Sequence, residues 1–284
     1  MTSTLHQKMT MKERYFQLFK YIIYILLLYS VIAFFIEDHQ AAQFTFKDGI
    51  SFSNLYQAYP QFIDTLAWYV LLMLFELETY VIEDDDFYDK VKWIIRPIYA
   101  LCYTSITLAF LGYFEQMLMI YQFEFTEVTD ACTLIGSNVT AIALELNEYV
   151  ELTAANCSTA TAPLYIQEKF GMIADDNIFI LLKRLIMTDV VNAGSWLLIV
   201  VLLQIDVLLQ LMGRLTDGFY RTNLYVKLVL YVVLFVCAGY WWVFGNYLDF
   251  QDAVLWILAF FFIEMNLFKW HEEEQDESSK KSAQ

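Results

Sequence analysis

Residues 64–78 have the sequence DTLAWYVLLMLFELE, and residues 192–206 (NAGSWLLIVVLLQID) and 252–266 (DAVLWILAFFFIEMN) repeat its pattern. Each stretch begins with Asp or Asn and places a Trp four residues later. Acidic or amide side chains follow at eight and ten residues beyond the Trp, and the positions between them are mainly apolar. Three matches of this kind predict a threefold internal repeat built on apolar helices.

The chain is too apolar for a soluble domain of its length. Of its 284 residues, 59% are hydrophobic, and the mean hydropathy is +0.46. Six stretches are long enough to cross the ~30 Å hydrocarbon core of a lipid bilayer as helices. They are residues 17–36, 65–83, 95–117, 192–212, 224–246 and 252–269. We therefore predict an all-α membrane protein, with six transmembrane helices arranged as three parallel helical hairpins.

The six predicted spans divide the chain into tails, hairpins and one long loop. A short tail (1–15) comes before hairpin 1 (16–83), and hairpin 2 (84–212) contains a long loop at 122–191. Hairpin 3 covers residues 213–270, and the acidic residues 271–284 are predicted to form a disordered tail.

Basic residues are distributed unevenly between the two ends of the predicted spans. Thirteen Lys and Arg residues lie at the end that carries both termini, whereas the opposite end has only Lys47, Lys169, Lys183 and Arg184. Because cytoplasmic segments carry the excess of positive charge, both termini are predicted to be cytoplasmic. The protein is then a multi-pass protein of the plasma (inner) membrane, and loop 122–191 is external.

The polar positions of the repeat are the candidate functional site. They are Glu76, Glu78, Gln204, Asp206, Glu264 and Asn266. On a helix they lie roughly 12–15 Å below the Trp, near the middle of the bilayer if the Trp occupies the membrane interface. Carboxyl groups at that depth are costly and are usually functional or paired. We predict that this cluster binds or conducts a monovalent cation, a divalent cation or protons.

A second function remains open, in which the buried acids only hold helices together. Lys20, Arg96 and Lys227 lie at the cytoplasmic ends of the other three spans, and their long side chains could reach the acids. The protein would then be a non-transporting subunit or scaffold. Its partner would be another membrane protein or a second copy of the chain.

A third and less favoured function is enzymatic. Asp85, Asp86 and Asp89 have the spacing that can hold Mg²⁺ against a diphosphate. This stretch resembles, locally, the aspartate-rich motif of intramembrane prenyltransferases. That family needs a second such motif, for which only Asp217-Gly218 stands in a comparable place. We therefore expect a transporter or channel rather than an enzyme.

The four cysteines fall into two pairs. Cys132 and Cys157 lie in the predicted external loop, where a disulfide between them would stabilise a small external domain. Cys102 and Cys237 lie within predicted spans and are expected to behave as small apolar residues.

Several classes of ligand are excluded by composition. The three histidines, His6, His39 and His271, all lie outside the predicted spans, which argues against a bis-His haem inside the bundle. None of the spans has a Lys near its middle that could hold retinal. The net charge of −16 and the lack of a basic surface argue against nucleic acid as a partner. We therefore expect no cofactor.

Overall fold

The structure, a computed structural model, describes residues 11–47, 49–80, 85–212, 217–245 and 247–260. Its α-helices are α1 (Met11–Thr45), α2 (Leu55–Ala58), α3 (Pro60–Tyr80), α4 (Asp85–Tyr121), α5 (Asp176–Leu211) and α6 (Asp217–Phe244). Residues 247–260 are also helical. The described residues fall into two compact units, one formed by 11–30 with 251–260 and the other by those within 31–250.

Five of the described helices are long and apolar enough to cross a membrane. The candidate spans are Arg14–Thr45, Pro60–Leu77, Trp93–Tyr121, Asp176–Ile205 and Arg221–Phe244. Large apolar side chains on these helices point outward, for example Leu101 and Val236, each 66% exposed. A row of such side chains is what a lipid-facing surface requires, so the chain is a membrane-embedded protein. The predicted sixth span is helical over 252–260 and otherwise lies outside the described residues, so six spans and a threefold repeat stay predictions.

The segment between α4 and α5 forms a five-stranded sheet, which the all-α prediction missed. The strands are β1 (Glu124–Thr126), β2 (Ala141–Glu145), β3 (Glu148–Glu151), β4 (Leu164–Gln167) and β5 (Met172–Asp175). Their order in the sheet is β1-β4-β5-β2-β3. Only the β2–β5 pair is parallel. The strands are three to five residues long, and β2 begins with three consecutive buried residues, so the alternating pattern of a strand is missing from the sequence.

The predicted cysteine pair lies in the core of this sheet region. Cys132 and Cys157 are at disulfide distance, with an S–S separation of 1.94 Å and a Cα–Cα separation of 4.9 Å. Cys157 packs in one cluster with Ile142, Leu164 and Ile173. Cys102 and Cys237 are free and buried.

Helix α5 begins immediately after β5, much earlier than the predicted span at 192–212. Oδ1 of Asp175 accepts a hydrogen bond from the backbone N–H of Ile178 at 2.9 Å, which caps the first turn of the helix. The charge of Lys183, in the first half of this helix, is accommodated on an aromatic ring: Nζ lies 3.9 Å from the ring centroid of Phe179. The segment joining α4 to α5 is therefore 122–175 rather than 122–191.

A close approach between α2 and α4 brings the helix ends together beneath the sheet. A Cβ added at Gly112 of α4 would overlap the backbone oxygen of Tyr56 in α2. Pro60, at the first position of α3, would also be in close contact with that Cβ. The absence of a side chain at Gly112 thus allows α2 to lie directly on α4.

Candidate functional site

The repeated tryptophans are buried in the protein. Trp68, Trp196 and Trp256 are each 7–8% exposed. The indole N–H of Trp68 donates a hydrogen bond to Oδ1 of Asp64 at 3.0 Å. Trp256 makes a corresponding side-chain hydrogen bond with Asp252. The Asp-x₃-Trp part of the pattern therefore has a structural reason, because the acid satisfies a buried indole one helical turn away.

The contact between two of these tryptophans sets the register of two helices. The ring centroids of Trp68 in α3 and Trp196 in α5 lie 6.1 Å apart. Both helices start at the end of the bundle that carries the sheet, so they run in the same direction. Glu76 and Gln204, each eight residues beyond its Trp, therefore come to the same level, about 12 Å farther along.

The structure describes only part of the predicted polar cluster. The side chain of Glu76 is half-buried. Gln204 is exposed, and its Nε2 donates a hydrogen bond to the hydroxyl oxygen of Tyr103 at 3.2 Å. The backbones of Glu78 and Asp206 belong to α3 and α5, but their side chains, like Glu264 and Asn266 entirely, lie outside what the structure describes. The cluster stays a prediction.

The three predicted pairing bases differ in environment. Lys20 is 1% exposed, and its Nζ lies 5.6 Å and 5.8 Å from the ring centroids of Tyr21 and Tyr24. Arg96 is exposed and Lys227 is half-buried. Aromatic faces accommodate the charge of Lys20. Pairing of these bases with the predicted acids stays a prediction.

Asp38 is a buried acid to which the sequence analysis gave no role, and it caps a helix. This residue of α1 is 2% exposed. Its Oδ2 accepts a hydrogen bond from the backbone N–H of Phe62, in the first turn of α3, at 2.9 Å. A carboxylate at a helix N-terminus satisfies an otherwise unpaired donor and interacts favourably with the helix dipole. Asp38 therefore links α1 to α3.

Asp189 of α5 is a second buried acid that the sequence analysis missed. It is 6% exposed, and its Oδ2 accepts no hydrogen bond from any residue in the described part of the chain. The carboxyl group lies beside the indole of Trp241, whose buried N–H likewise lacks an acceptor at hydrogen-bond distance among the described residues and is an available donor for it. It also lies within electrostatic range of the buried hydroxyl of Tyr113, as do Asp38, Asp64 and Asp249. Four acidic side chains of the bundle therefore lie near Tyr113.

A cavity of about 250 Å³ lies where α1, α2 and α4 meet the sheet. Apolar side chains form one part of its lining, including Ala41, Phe46 and Met119. The polar part of the lining consists of Asp38, Thr45, Gln57, Glu115, Gln116, Gln122, Asn147, Tyr149 and Lys169. Two carboxyl groups and one ammonium group thus line the cavity, and a small polar molecule would fit inside it.

A chain of amide side chains leads from this cavity to an acid. Gln116 Nε2 donates a hydrogen bond to Oδ1 of Asn147. Asn147 Nδ2 donates to Oε1 of Gln61 at 3.0 Å, and Gln61 Nε2 donates to Oδ1 of Asp249 at 3.2 Å. Asn147 holds the turn between β2 and β3 with a φ of 64°, a conformation that Asn tolerates. These three hydrogen bonds connect the sheet to the helices.

Tyr149 and Glu145 are two of the sheet residues whose pKa values are raised. Burial raises the pKa of Tyr149 to about 12, so its phenol remains a hydrogen-bond donor at neutral pH. Burial, together with the nearby charge of Glu148, raises the pKa of Glu145. Of these two groups, only Tyr149 lines the cavity.

The predicted magnesium motif lies at the start of α4. The backbones of Asp85, Asp86 and Asp89 are helical, and their side chains lie outside the described part of the structure. Among described residues, no group of three or more His, Cys, Asp or Glu residues is placed to hold a metal ion.

No protein-family model, curated protein or solved structure matches this chain.

Proposed function

We propose that this membrane-embedded protein conducts or transports a cation or protons across the bilayer. Its working groups would be Asp189 at one level and the predicted cluster, including Glu76 and Gln204, at another. Carboxyl groups within membrane spans are rare, and they commonly mark ion or proton pathways.

The observation that carries this proposal is the burial of the acid Asp189 within a candidate span. The residue lies in a candidate span, is almost completely buried, and leaves one carboxyl oxygen without a donor among the described residues. The indole N–H of Trp241 lies beside this carboxyl group as a donor, and an acid buried within a membrane span remains costly even with such a neighbour. A passing cation or proton would neutralise its charge.

Distances along α5 place polar groups on both sides of the tryptophan contact. Counting from Arg184, an exposed charge suited to a membrane interface, Asp189 lies about 8 Å deeper and Trp196 about 18 Å deeper. Gln204 lies about 30 Å from Arg184, which is the thickness of the hydrocarbon core. If Arg184 marks one membrane interface, the predicted cluster at the depth of Gln204 lies near the opposite face of the bilayer and not at the midplane. The Trp68–Trp196 contact lies between the two levels, where it would act as the barrier.

Flux in proteoliposomes tests the proposal. We would measure H⁺, Na⁺, K⁺, Mg²⁺ and Ca²⁺ flux for the wild type, Asp189→Asn, Glu76→Gln and the Asp206→Asn/Glu264→Gln double variant. Glu168→Gln is the matched control, because Glu168 is an exposed acid in the turn between β4 and β5. We expect flux in the wild type and the control, and a loss of at least about tenfold in the other three variants.

Thermal unfolding of the same variants separates function from structure. Under the proposal, Asp189→Asn unfolds at the same or a higher temperature than the wild type while losing flux, because it removes a buried charge. Wild-type liposomes without flux of any of the five ions, together with a less stable Asp189→Asn variant, would refute transport.

The alternative, a non-transporting subunit or scaffold, is favoured by one observation. Asp38 and Asp64 both have donors within the protein, the backbone N–H of Phe62 and the indole of Trp68. Asp38 joins α1 to α3 in this way without any ion, and Asp64 is satisfied within α3. This function predicts that Asp189→Asn weakens assembly with a partner membrane protein or with a second copy, measured by crosslinking in native membranes.

A further inference from the structure

The direction of the amide chain is fixed by its last member. Asp249 can only accept hydrogen bonds when ionised, so Gln61 must present its Nε2 to it. Oε1 of Gln61 is then the acceptor for Asn147, and Oδ1 of Asn147 is the acceptor for Gln116. Each amide transmits its orientation to the next.

The consequence appears at the cavity end of the chain. Because Nε2 of Gln116 is committed to Asn147, its Oε1 is the atom left over. That oxygen is buried and has no hydrogen-bond donor among the described residues. Gln116 lines the cavity, so the cavity contains an acceptor that requires a donor from a bound molecule.

A carboxylate lies next to this acceptor in sequence and lines the same cavity. Glu115 accepts hydrogen bonds from the hydroxyl of Tyr56 at 3.3 Å and from Nε2 of Gln57. A carboxylate offers about four acceptor positions, so two remain for a ligand. Lys169, the one basic residue of the lining, is exposed, and its Nζ lies 5.0 Å from the ring centroid of Phe170.

We propose that the cavity beneath the sheet binds a small organic ammonium ion, which donates hydrogen bonds to Oε1 of Gln116 and to the carboxylate of Glu115. A bare inorganic cation would leave most of the ~250 Å³ empty. Drug-sized ligands occupy pockets of about 300 Å³ or more, so the ligand is smaller than these. The apolar wall around Ala41 and Phe46 suits a short alkyl chain. This binding site goes beyond the proposed transport and would exist even without it.

Isothermal titration calorimetry of the full chain in nanodiscs tests this proposal with n-butylammonium as the probe. Neutral n-butanol and anionic butyrate have the same alkyl chain and measure the contribution of charge and donors. We expect the wild type to bind n-butylammonium, and to bind n-butanol and butyrate at least about tenfold more weakly. Glu115→Gln should reduce n-butylammonium affinity by tenfold or more, and Glu168→Gln should change it less than twofold.

Asp249 provides the sharpest test, because it does not line the cavity. In Asp249→Asn, residue 249 can donate a hydrogen bond as well as accept one. The amide groups of Gln61, Asn147 and Gln116 can then all reverse their orientation, which presents Nε2 of Gln116 to the cavity. The preference for n-butylammonium over n-butanol should then fall several-fold. Asp249→Glu keeps an acceptor-only end and should retain the preference.

Three results would overturn the proposal. The first is no heat with n-butylammonium, which would mean a cavity filled by water only. The second is displacement of the probe by equimolar KCl, which would indicate a site for inorganic cations. The third is an unchanged preference in an Asp249→Asn variant that unfolds at the wild-type temperature. Flux is not measured in any of these titrations, so their failure is distinct from failure of the transport proposal.

Discussion

Replacement of Asp38 distinguishes an acid that holds the fold from one that handles ions. If Asp38 acts as the cap of α3, what matters is an acceptor for the N–H of Phe62, 2.9 Å away. Asp38→Ala removes that acceptor. A lost cap costs about 0.5–2 kcal/mol, and a buried N–H without a partner about 1–3 kcal/mol, so we expect a loss of about 2 kcal/mol in the free energy of unfolding. Asp38→Asn keeps an acceptor; it loses the charge–dipole interaction, about 0.3–1 kcal/mol, but no longer buries a charge, so we expect little net change.

Equilibrium unfolding in mixed micelles, followed by circular dichroism as the fraction of denaturing detergent is raised, measures these losses. Amide exchange at Phe62 gives a local readout and should accelerate much more in Asp38→Ala than in Asp38→Asn. Gln40→Ala, at an exposed position of the same helix, is the matched control. The capping role is refuted if Asp38→Ala is as stable as the wild type. It is also refuted if Asp38→Asn loses as much as Asp38→Ala, since the charge and not the acceptor would then matter.

Three further predictions concern the sheet and the helix packing. Replacing both Cys132 and Cys157 by Ala releases a link between residues 25 apart, worth about 3.5 kcal/mol by loop-closure entropy, and should accelerate amide exchange in β2 and β5, whereas Cys102→Ala should not. Gly112→Ala should lower the unfolding temperature, because the added Cβ overlaps the backbone of Tyr56 at a cost of about 1–3 kcal/mol. Gly239→Ala is the control: the added Cβ has no atom within 4 Å, so this substitution should raise the unfolding temperature. The raised pKa of Glu145 means that the folded sheet disfavours its charged form, so stability should fall as pH rises from the ordinary pKa of a glutamate through the raised one. Thermal unfolding at pH 4.5 and 7 should show that Glu145→Gln reduces this fall, and an unchanged pH dependence would contradict the assignment.

The helices could be predicted from the sequence because burial in lipid leaves a strong mark on composition. Long apolar runs appear wherever a helix crosses the bilayer, and five of the predicted spans coincide with apolar helices. The start of α5 was placed too late because Lys183 and Arg184 interrupt the apolar run. Their compatibility with a helix depends on the rings of Phe179 and Tyr121, and such contacts are invisible in hydropathy. The sheet was missed because its strands are short and its central strands lack alternation.

The cavity and the amide chain could not be found by spacing because their members are far apart in sequence. Asn147 and Gln61 are 86 residues apart, and Gln61 and Asp249 are 188 apart. The repeat pattern shows only partners within one helix, such as Asp64 and Trp68. One local signal was present at Asn147, since Leu-Asn-Glu between two short strands is suited to a turn with positive φ.

The buried acids therefore divide by whether the fold itself explains them. Asp38, which is buried, and Asp64, which is half-buried, each accept a hydrogen bond from a fixed donor of the protein, so neither needs an ion. Asp189 keeps a buried oxygen without a described donor, and Gln116 keeps another at the cavity. An acceptor left open beside negative charge is instead suited to a partner that arrives with protons or positive charge and leaves again.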